Sequence, residues 1–383
     1  MSRRKVCVVV ASRANYGRIK AVMHAIRNHP DLELQLIVGA SALLERYGRA
    51  IDIIRNDGFE PDATVYLVLE GETPGTMAKS TGLGIMELAT AFDNLRPDIV
   101  LTVADRYETM ATAVASSYMN IPLAHTQGGE VTGSIDESVR HAITKLAHIH
   151  FPTTELSRQR LLRMGESPDR VFVTGCPSID AIATIDFTLK PETLARTGVG
   201  GQIDPRSRFI LVLQHPVTTE YAETAEHIDA TIEAVRRLKH PTVWLWPNVD
   251  AGSDTISKRL RQFRERERPD YVHFYRNFSV EDYARVMHAA GCILGNTSSS
   301  LREGAYLGTP AVNVGSRQHG RERGPNVVDV PNDADAIEAA VRKQLAHGKF
   351  PSSALYGDGK AAPRIAGRLA TVSLEPIQKY LTY

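Results

Sequence analysis

The stretch KVCVVVASRANYGRIKAVMHAIRNH, Lys5 to His29, is an unbroken apolar run that passes through Ser12-Arg13 into a pattern of helical spacing. An apolar run rich in β-branched residues, without polar alternation, reads as a strand buried on both faces. The strand is expected over Lys5–Ala11 and the helix over 16–29. The same unit recurs. Leu34–Val38, Ile99–Val103 and Pro122–His125 read as buried strands, with helices near 43–56, 80–95 and 108–119 between them. A second series begins with Phe209–Leu213 and continues through Thr242–Trp246, Tyr271–Tyr275, Cys292–Gly295 and Ala311–Val314, with interleaved helices. Alternation of this kind predicts two α/β domains, each a doubly wound parallel sheet. Lys190–Arg208, rich in Gly and Pro, is expected to be a surface connection between them.

The chain has 383 residues, long enough for two domains. Lys+Arg number 45 against Asp+Glu 44, so no global basic field would attract nucleic acid. Cys7, Cys176 and Cys292 are scattered and odd in number, which fits no disulfide framework and no CxxC site and agrees with a reducing cytoplasm. The apolar run at the start is too short for a secretory leader and is broken by Arg13. No stretch approaches the roughly 18 apolar residues of a membrane span.

In open α/β sheets ligands sit beyond the carboxyl ends of the strands, here expected to face a cleft between the two domains. After the first strand, Ser12-Arg13-Ala14-Asn15-Tyr16-Gly17 is neither GxGxxG nor a P-loop, but an Arg at a strand-to-helix turn suits a phosphate. Asp105-Arg106-Tyr107-Glu108 has capping-box spacing and also sets a carboxylate beside a cation. His125-Thr126-Gln127-Gly128-Gly129-Glu130 leads through Gly133 to Ser134-x-Asp136-Glu137, a glycine-rich loop flanked by acids, with a second box at Ser134/Glu137. His141, His148 and His150 lack the companions of a zinc set and read as structural, the first two on one helical pattern. In the second half His215, Asn248 and Asn296-Thr297-Ser298-Ser299-Ser300 follow strands, with a third box at Ser300/Glu303. Hydroxyls at a helix N-terminus are what a diphosphate needs. The residues alone point to an enzyme acting on a nucleotide sugar.

The segments SRANYG, ADRYE, GGEVTGSIDESVRHAITKLAHIH, GCPSID, LQHPVTT, WPNVDAGSD, GNTSSSLREGAYLGTP and YGDGKAAPRI occur in that order. Together they resemble the UDP-N-acetylglucosamine 2-epimerase family, most of all its hydrolysing branch, from about Lys5 to Leu369. The resemblance implies a GT-B-like fold: a Rossmann-like domain over 1–185, a UDP-binding one over 186–365, and a C-terminal helix over 366–383 crossing back to the first. It implies no cofactor and no metal, a UDP-sugar substrate, no nucleic-acid or membrane partner, and a homodimer or homotetramer. It implies anti elimination to a 2-acetamidoglucal, followed by addition of water to give N-acetylmannosamine and UDP. The non-hydrolysing relatives add UDP back instead.

By the same resemblance Asp105, Asp136, Glu130 and His215 are the catalytic candidates. Arg13, Gly17, Arg106, Gln127, Asn248, Phe278, Thr297, Ser298, Glu303 and Arg317 are the substrate-binding ones. Asn15 and Gln127 depart from the acids that many members carry, and a Gln cannot take up a proton. Two further alternatives are a GT-B glycosyltransferase, for which no acceptor site is legible, and a catalytically silent nucleotide-sugar sensor. Other UDP-sugars modified at C4 and C6 also fit the chemistry.

Overall fold

Along the first strand, β1 (Arg4–Val10), Val6, Val8 and Val10 enter one core while Cys7 and Val9 enter another. The period-2 alternation is present, but both faces are covered, so polar residues are excluded from each. The computed structural model describes residues 3–71, 73–133, 135–195, 198–247 and 252–382. By contact the chain forms two units: Met1–Glu130, Asp136–Ala183 and Tyr356–Tyr383 make the first, and Val131–Ile135 with Thr184–Leu355 the second.

In the first unit β1 is joined by β2 (Leu32–Gly39), β3 (Ala63–Val65), β4 (Ile99–Val103), β5 (Leu123–Thr126) and β6 (Ile149–Phe151), all parallel, in the order β3-β2-β1-β4-β5-β6. The order reverses between β1 and β4, which creates a switch point there. β3 and β6, three residues each, are absent from the sequence reading. The helix carrying Arg140 ends at Leu146, so His148 lies beyond it and His150 stands on β6; the helical pattern expected through His148 is not formed.

The second unit holds β7 (Val199–Gly200), β8 (Ile210–Leu213), β9 (Thr242–Leu245), β10 (Val272–Tyr275), β11 (Cys292–Gly295), β12 (Ala311–Val314) and β13 (Val327–Val330). Their order is β13-β12-β11-β8-β9-β10-β7, parallel except for β7, with the switch point between β8 and β11. The expected surface connection at 190–208 is instead partly structural. It contains the helix Pro191–Ala195, whose Leu194 carbonyl accepts from the Tyr275 hydroxyl at 2.7 Å, and β7. Its glycines permit close approach: a Cβ on Gly201 would fall 1.7 Å from the Asp270 carbonyl oxygen.

At Tyr356 the chain re-enters the first unit, where Ile365 and Leu369 of the helix Ala361–Thr371 complete the core beside Val8 and Ile19. Asp180 caps that helix, accepting from the backbone N–H of Ala361 (3.0 Å) and of Ala362 (2.6 Å). Among the described residues no helix is long and apolar enough to cross a membrane.

Candidate active site

At the switch point of the first unit, Ser12 caps the helix Arg13–Asn28 by accepting from the Asn15 N–H at 3.1 Å. The Asn15 side chain is buried and accepts from the Ala11 N–H at 3.3 Å, so it closes the strand-to-helix turn. Arg13 opens that helix and Gly17 follows one turn later, both half-buried. Across the switch point, Arg106 is the N-cap residue of the helix Tyr107–Tyr118, but no side chain caps it. The box expected from Asp105 and Glu108 is therefore not formed. Glu108 instead turns inward and pairs with Arg106 at 3.2 Å. Asp105, released from capping, forms an ion pair with Arg140.

Arg140 is 1% exposed and is the hub of this cluster. It donates to the Glu130 carbonyl at 2.8 Å and to the Glu137 carboxylate at 3.3 Å, besides Asp105. The Glu130 carboxylate is buried and accepts from the Thr153 hydroxyl at 2.9 Å. Asp136 and Glu137 form the first turn of the helix Asp136–Leu146, where the dipole favours their ionised forms. The Asp105 and Glu137 carboxylates and the Glu130 backbone carbonyl thus meet on one guanidinium, with Asp136 adjoining Glu137. Gln127 is buried at φ 63° and its amide donates to the Cys176 thiol at 3.3 Å. Arg140 went unread in the sequence. The available signal was a charged residue on the inward stripe it shares with Ile143 and Thr144.

Ala104, just before Asp105, has φ 65°. A non-glycine residue in that region costs on the order of 1–3 kcal/mol and needs support from its surroundings. Its carbonyl accepts from Nε2 of His125 at 2.7 Å. Burial, only partly offset by this hydrogen bond, pushes the His125 imidazole down to about 3. The ring is neutral in the folded chain and titrates at its ordinary value once unfolded. Below about pH 6.5 the unfolded state therefore binds a proton that the folded state refuses, and stability falls toward pH 3 at about 1.4 kcal/mol per unit. Urea titrations at pH 7 and pH 5 are expected to show this loss in the wild type and a smaller one in His125→Gln.

At the switch point of the second unit, Asn296 clasps the backbone of His215. It accepts from the His215 N–H at 2.7 Å and donates to its carbonyl at 2.8 Å. The two strand ends are thereby held in register, with His215 itself buried. Gly295 has φ 130°, and a Cβ there would lie 2.1 Å from the Leu213 carbonyl oxygen. Thr297 caps the helix Ser298–Leu301 through the Ser299 N–H at 3.4 Å, and Arg317 donates to the Asn296 carbonyl at 3.3 Å. Arg302 steadies the Ser298 hydroxyl at 2.7 Å.

The box expected from Ser300 and Glu303 is not formed. The helix stops at Leu301, and Glu303 starts a new one, Glu303–Leu307. One buried oxygen of the half-buried Glu303 has no hydrogen-bond partner among the described residues. Phe278 lies beyond β10, packed on Tyr275 with ring centroids 4.8 Å apart. Asn248 lies outside the described residues. The residues 131–135 belong to the second unit, where the Gly133 N–H donates to the Arg317 carbonyl at 3.0 Å. Among the described residues, the His and carboxylate grouping that could hold a metal ion is Glu220, Glu223 and His227, with donor atoms within 4.8 Å of one another.

Chemically, one unit offers carboxylates on a buried arginine next to a cationic strand end. The other offers a hydroxyl-lined helix start flanked by a histidine and an arginine. The sequence matches a family profile described as UDP-N-acetylglucosamine 2-epimerase over residues 24–370. It is 34% identical over 371 residues to a Legionella pneumophila UDP-N,N'-diacetylbacillosamine 2-epimerase (hydrolyzing), covering 97% of each chain. It is 31% identical over 349 residues to a Campylobacter jejuni GDP/UDP-N,N'-diacetylbacillosamine 2-epimerase (hydrolyzing), covering 90% of this chain and 89% of that one. The crystal structure of a Neisseria meningitidis UDP-GlcNAc 2-epimerase bound to UDP-GlcNAc shares the fold. Its TM-score is 0.78 at 19% identity, over 95% of this chain and 99% of that one.

Proposed function

The chain belongs to the UDP-N-acetylglucosamine 2-epimerase family, and from that premise we propose that it hydrolyses a UDP-linked 2-acetamido sugar with inversion at C2. The observation that carries this reading is the pairing of the Asp105 and Glu137 carboxylates with Arg140, next to Asp136 and to the Glu130 backbone, in a chain two of whose relatives are named as hydrolysing 2-epimerases. UDP-N-acetylglucosamine is the parent substrate. The names of those two relatives favour a second reading, the same reaction on UDP-N,N'-diacetylbacillosamine.

The C2–H bond is far less acidic than a carboxylic acid, so it breaks together with, or after, departure of UDP from C1. Asp105 and Asp136 are the groups we assign to proton transfer at C2, with Glu130 as the next acid in the cluster. The electron pair of the C2–H bond forms the C1–C2 double bond as the C1–O bond breaks, leaving the 2-acetamidoglucal and UDP. Water then adds its oxygen to C1, and C2 takes a proton on the opposite face. Gln127 stands where several members carry an acid; its amide can orient a group but cannot carry that proton.

Departure of UDP is helped by whatever holds the growing negative charge. Arg13, Arg106 and Arg317, the Thr297 and Ser298 hydroxyls and His215 are proposed for that task, with Gly17 lending room, Glu303 facing the ribose and Phe278 the uracil. Each such donor is typically worth about 2.7–4 kcal/mol of barrier. The same proposal includes association of two copies through the helix Pro74–Leu95, near which Met86 and Tyr118 stand exposed.

The test is incubation with each UDP-sugar in D₂O, followed by NMR. The expected products are UDP and a free 2-epimerised sugar carrying deuterium at C2. A deuterated UDP-linked product would mean the non-hydrolysing reaction. No exchange and no free UDP with either sugar would overturn the enzymatic reading.

A further inference from the structure

Both backbone groups of Ala104 are held by consecutive residues of β5. Its N–H donates to the Thr126 carbonyl at 3.2 Å, and its carbonyl accepts from His125 Nε2 at 2.7 Å. A carbonyl only accepts, so Nε2 carries the hydrogen and Nδ1 is bare. The ring is fully buried. Gly128 makes room for it: a Cβ there would come within 3.1 Å of Nδ1. A neutral ring sealed from solvent, with its one N–H spent on a carbonyl, cannot itself donate to a sugar. What it can do is fix the turn, and the residue that leaves the turn is Asp105, directed to Arg140.

We propose that His125 is a positioning residue: its Nε2–H clamps the Ala104 carbonyl in the left-handed turn and so aims the Asp105 carboxylate for its work at C2. This rests on the reading of Asp105 as a proton-transfer group. A residue that merely fills the core would be replaced well by any apolar side chain of similar size. A clamp is replaced well only by another donor in the same place. The amide nitrogen of Gln reaches about as far from the backbone as Nε2 of His, whereas Leu offers no donor. Glycine enters left-handed backbone freely, so at position 104 it should relieve the need for a clamp.

The experiment compares His125→Leu, His125→Gln, His125→Leu with Ala104→Gly, and Asp105→Asn, using the UDP-sugar that the wild type turns over. Rates come from release of UDP and deuterium at C2, and UDP affinity from calorimetry. His125→Leu is expected to lose on the order of 10²-fold in kcat with UDP affinity and KM little changed, as for a catalytic group displaced by about an ångström. His125→Gln should keep most of the wild-type rate, and Ala104→Gly should restore much of what His125→Leu lost. Full activity in His125→Leu, equal losses in Leu and Gln, or no rescue by glycine would overturn the clamp. If His125→Leu does not fold, the glycine double variant is expected to fold and turn over, and its failure counts against the proposal. A near-normal rate in Asp105→Asn would instead remove the role of Asp105 and leave the clamp without a reaction to serve.

Discussion

Asp105→Asn and Asp136→Asn are each expected to lose at least about 10²-fold in turnover while still binding UDP, because an amide cannot accept the C2 proton. Loss of C2 deuterium exchange should run in parallel with loss of product. The two variants part company in stability. Asp136 sits half-buried on the first turn of its helix, where a charge typically contributes only about 0.3–1 kcal/mol, so its variant should melt close to the wild type. Asp105 is buried against Arg140, and neutralising it removes one carboxylate from a cation that is 1% exposed. Asp105→Asn should therefore unfold measurably earlier, an effect that the sequence, which allowed Asp105 only a cap or a catalytic role, does not foretell. If Asp136→Asn turns over at the wild-type rate, Asp136 is a helix-terminal charge and Glu130 takes its place as the candidate base.

Arg140→Met should be the most destabilising single change in the cluster, by about 3–5 kcal/mol, since it strands a buried carboxylate rather than removing a pair. Both tryptophans, Trp244 and Trp246, lie in the second unit, so fluorescence follows that unit while circular dichroism follows both. In urea the loss should therefore show in circular dichroism at concentrations where tryptophan fluorescence is still native. Adding Asp105→Asn to Arg140→Met should recover part of the loss, because the pair then leaves together. If the two single losses simply add, Asp105 and Arg140 do not form the coupled pair described here.

What could be read from the sequence depended on whether a residue's role was local. β1, β4, β11 and β12 were legible because burial on both faces leaves mostly apolar runs, interrupted in β4 by Thr102 and in β12 by Asn313. β3 and β6 are too short to show a pattern, and β13 is only partly buried, so its alternation is blurred. The strand ends are where the structure places several of the candidate residues, Asp105 and Arg106 just past β4 and His215 just past β8. The capping boxes at 105/108 and 300/303 failed because spacing alone does not say which residue begins the helix: Arg106 and Thr297 do. His125 and Arg140 were passed over for a different reason. Their partners, Ala104 and Asp105, are 21 and 35 positions away, just past the end of β4, and come within reach only after the sheet has formed.

The return of the helix Ala361–Thr371 to the first core has a consequence for synthesis. The sheet of the first unit is fully translated once Phe151 has been added, yet its core still lacks Ile365 and Leu369. At roughly 5–20 residues per second, the wait on the ribosome is about 10–40 s. During it, the whole of Thr184–Leu355 is made and can close its own core first. The half that is born first is thus the half that finishes last, and for that interval the apolar groove awaiting Ile365 and Leu369 is the surface a chaperone would meet.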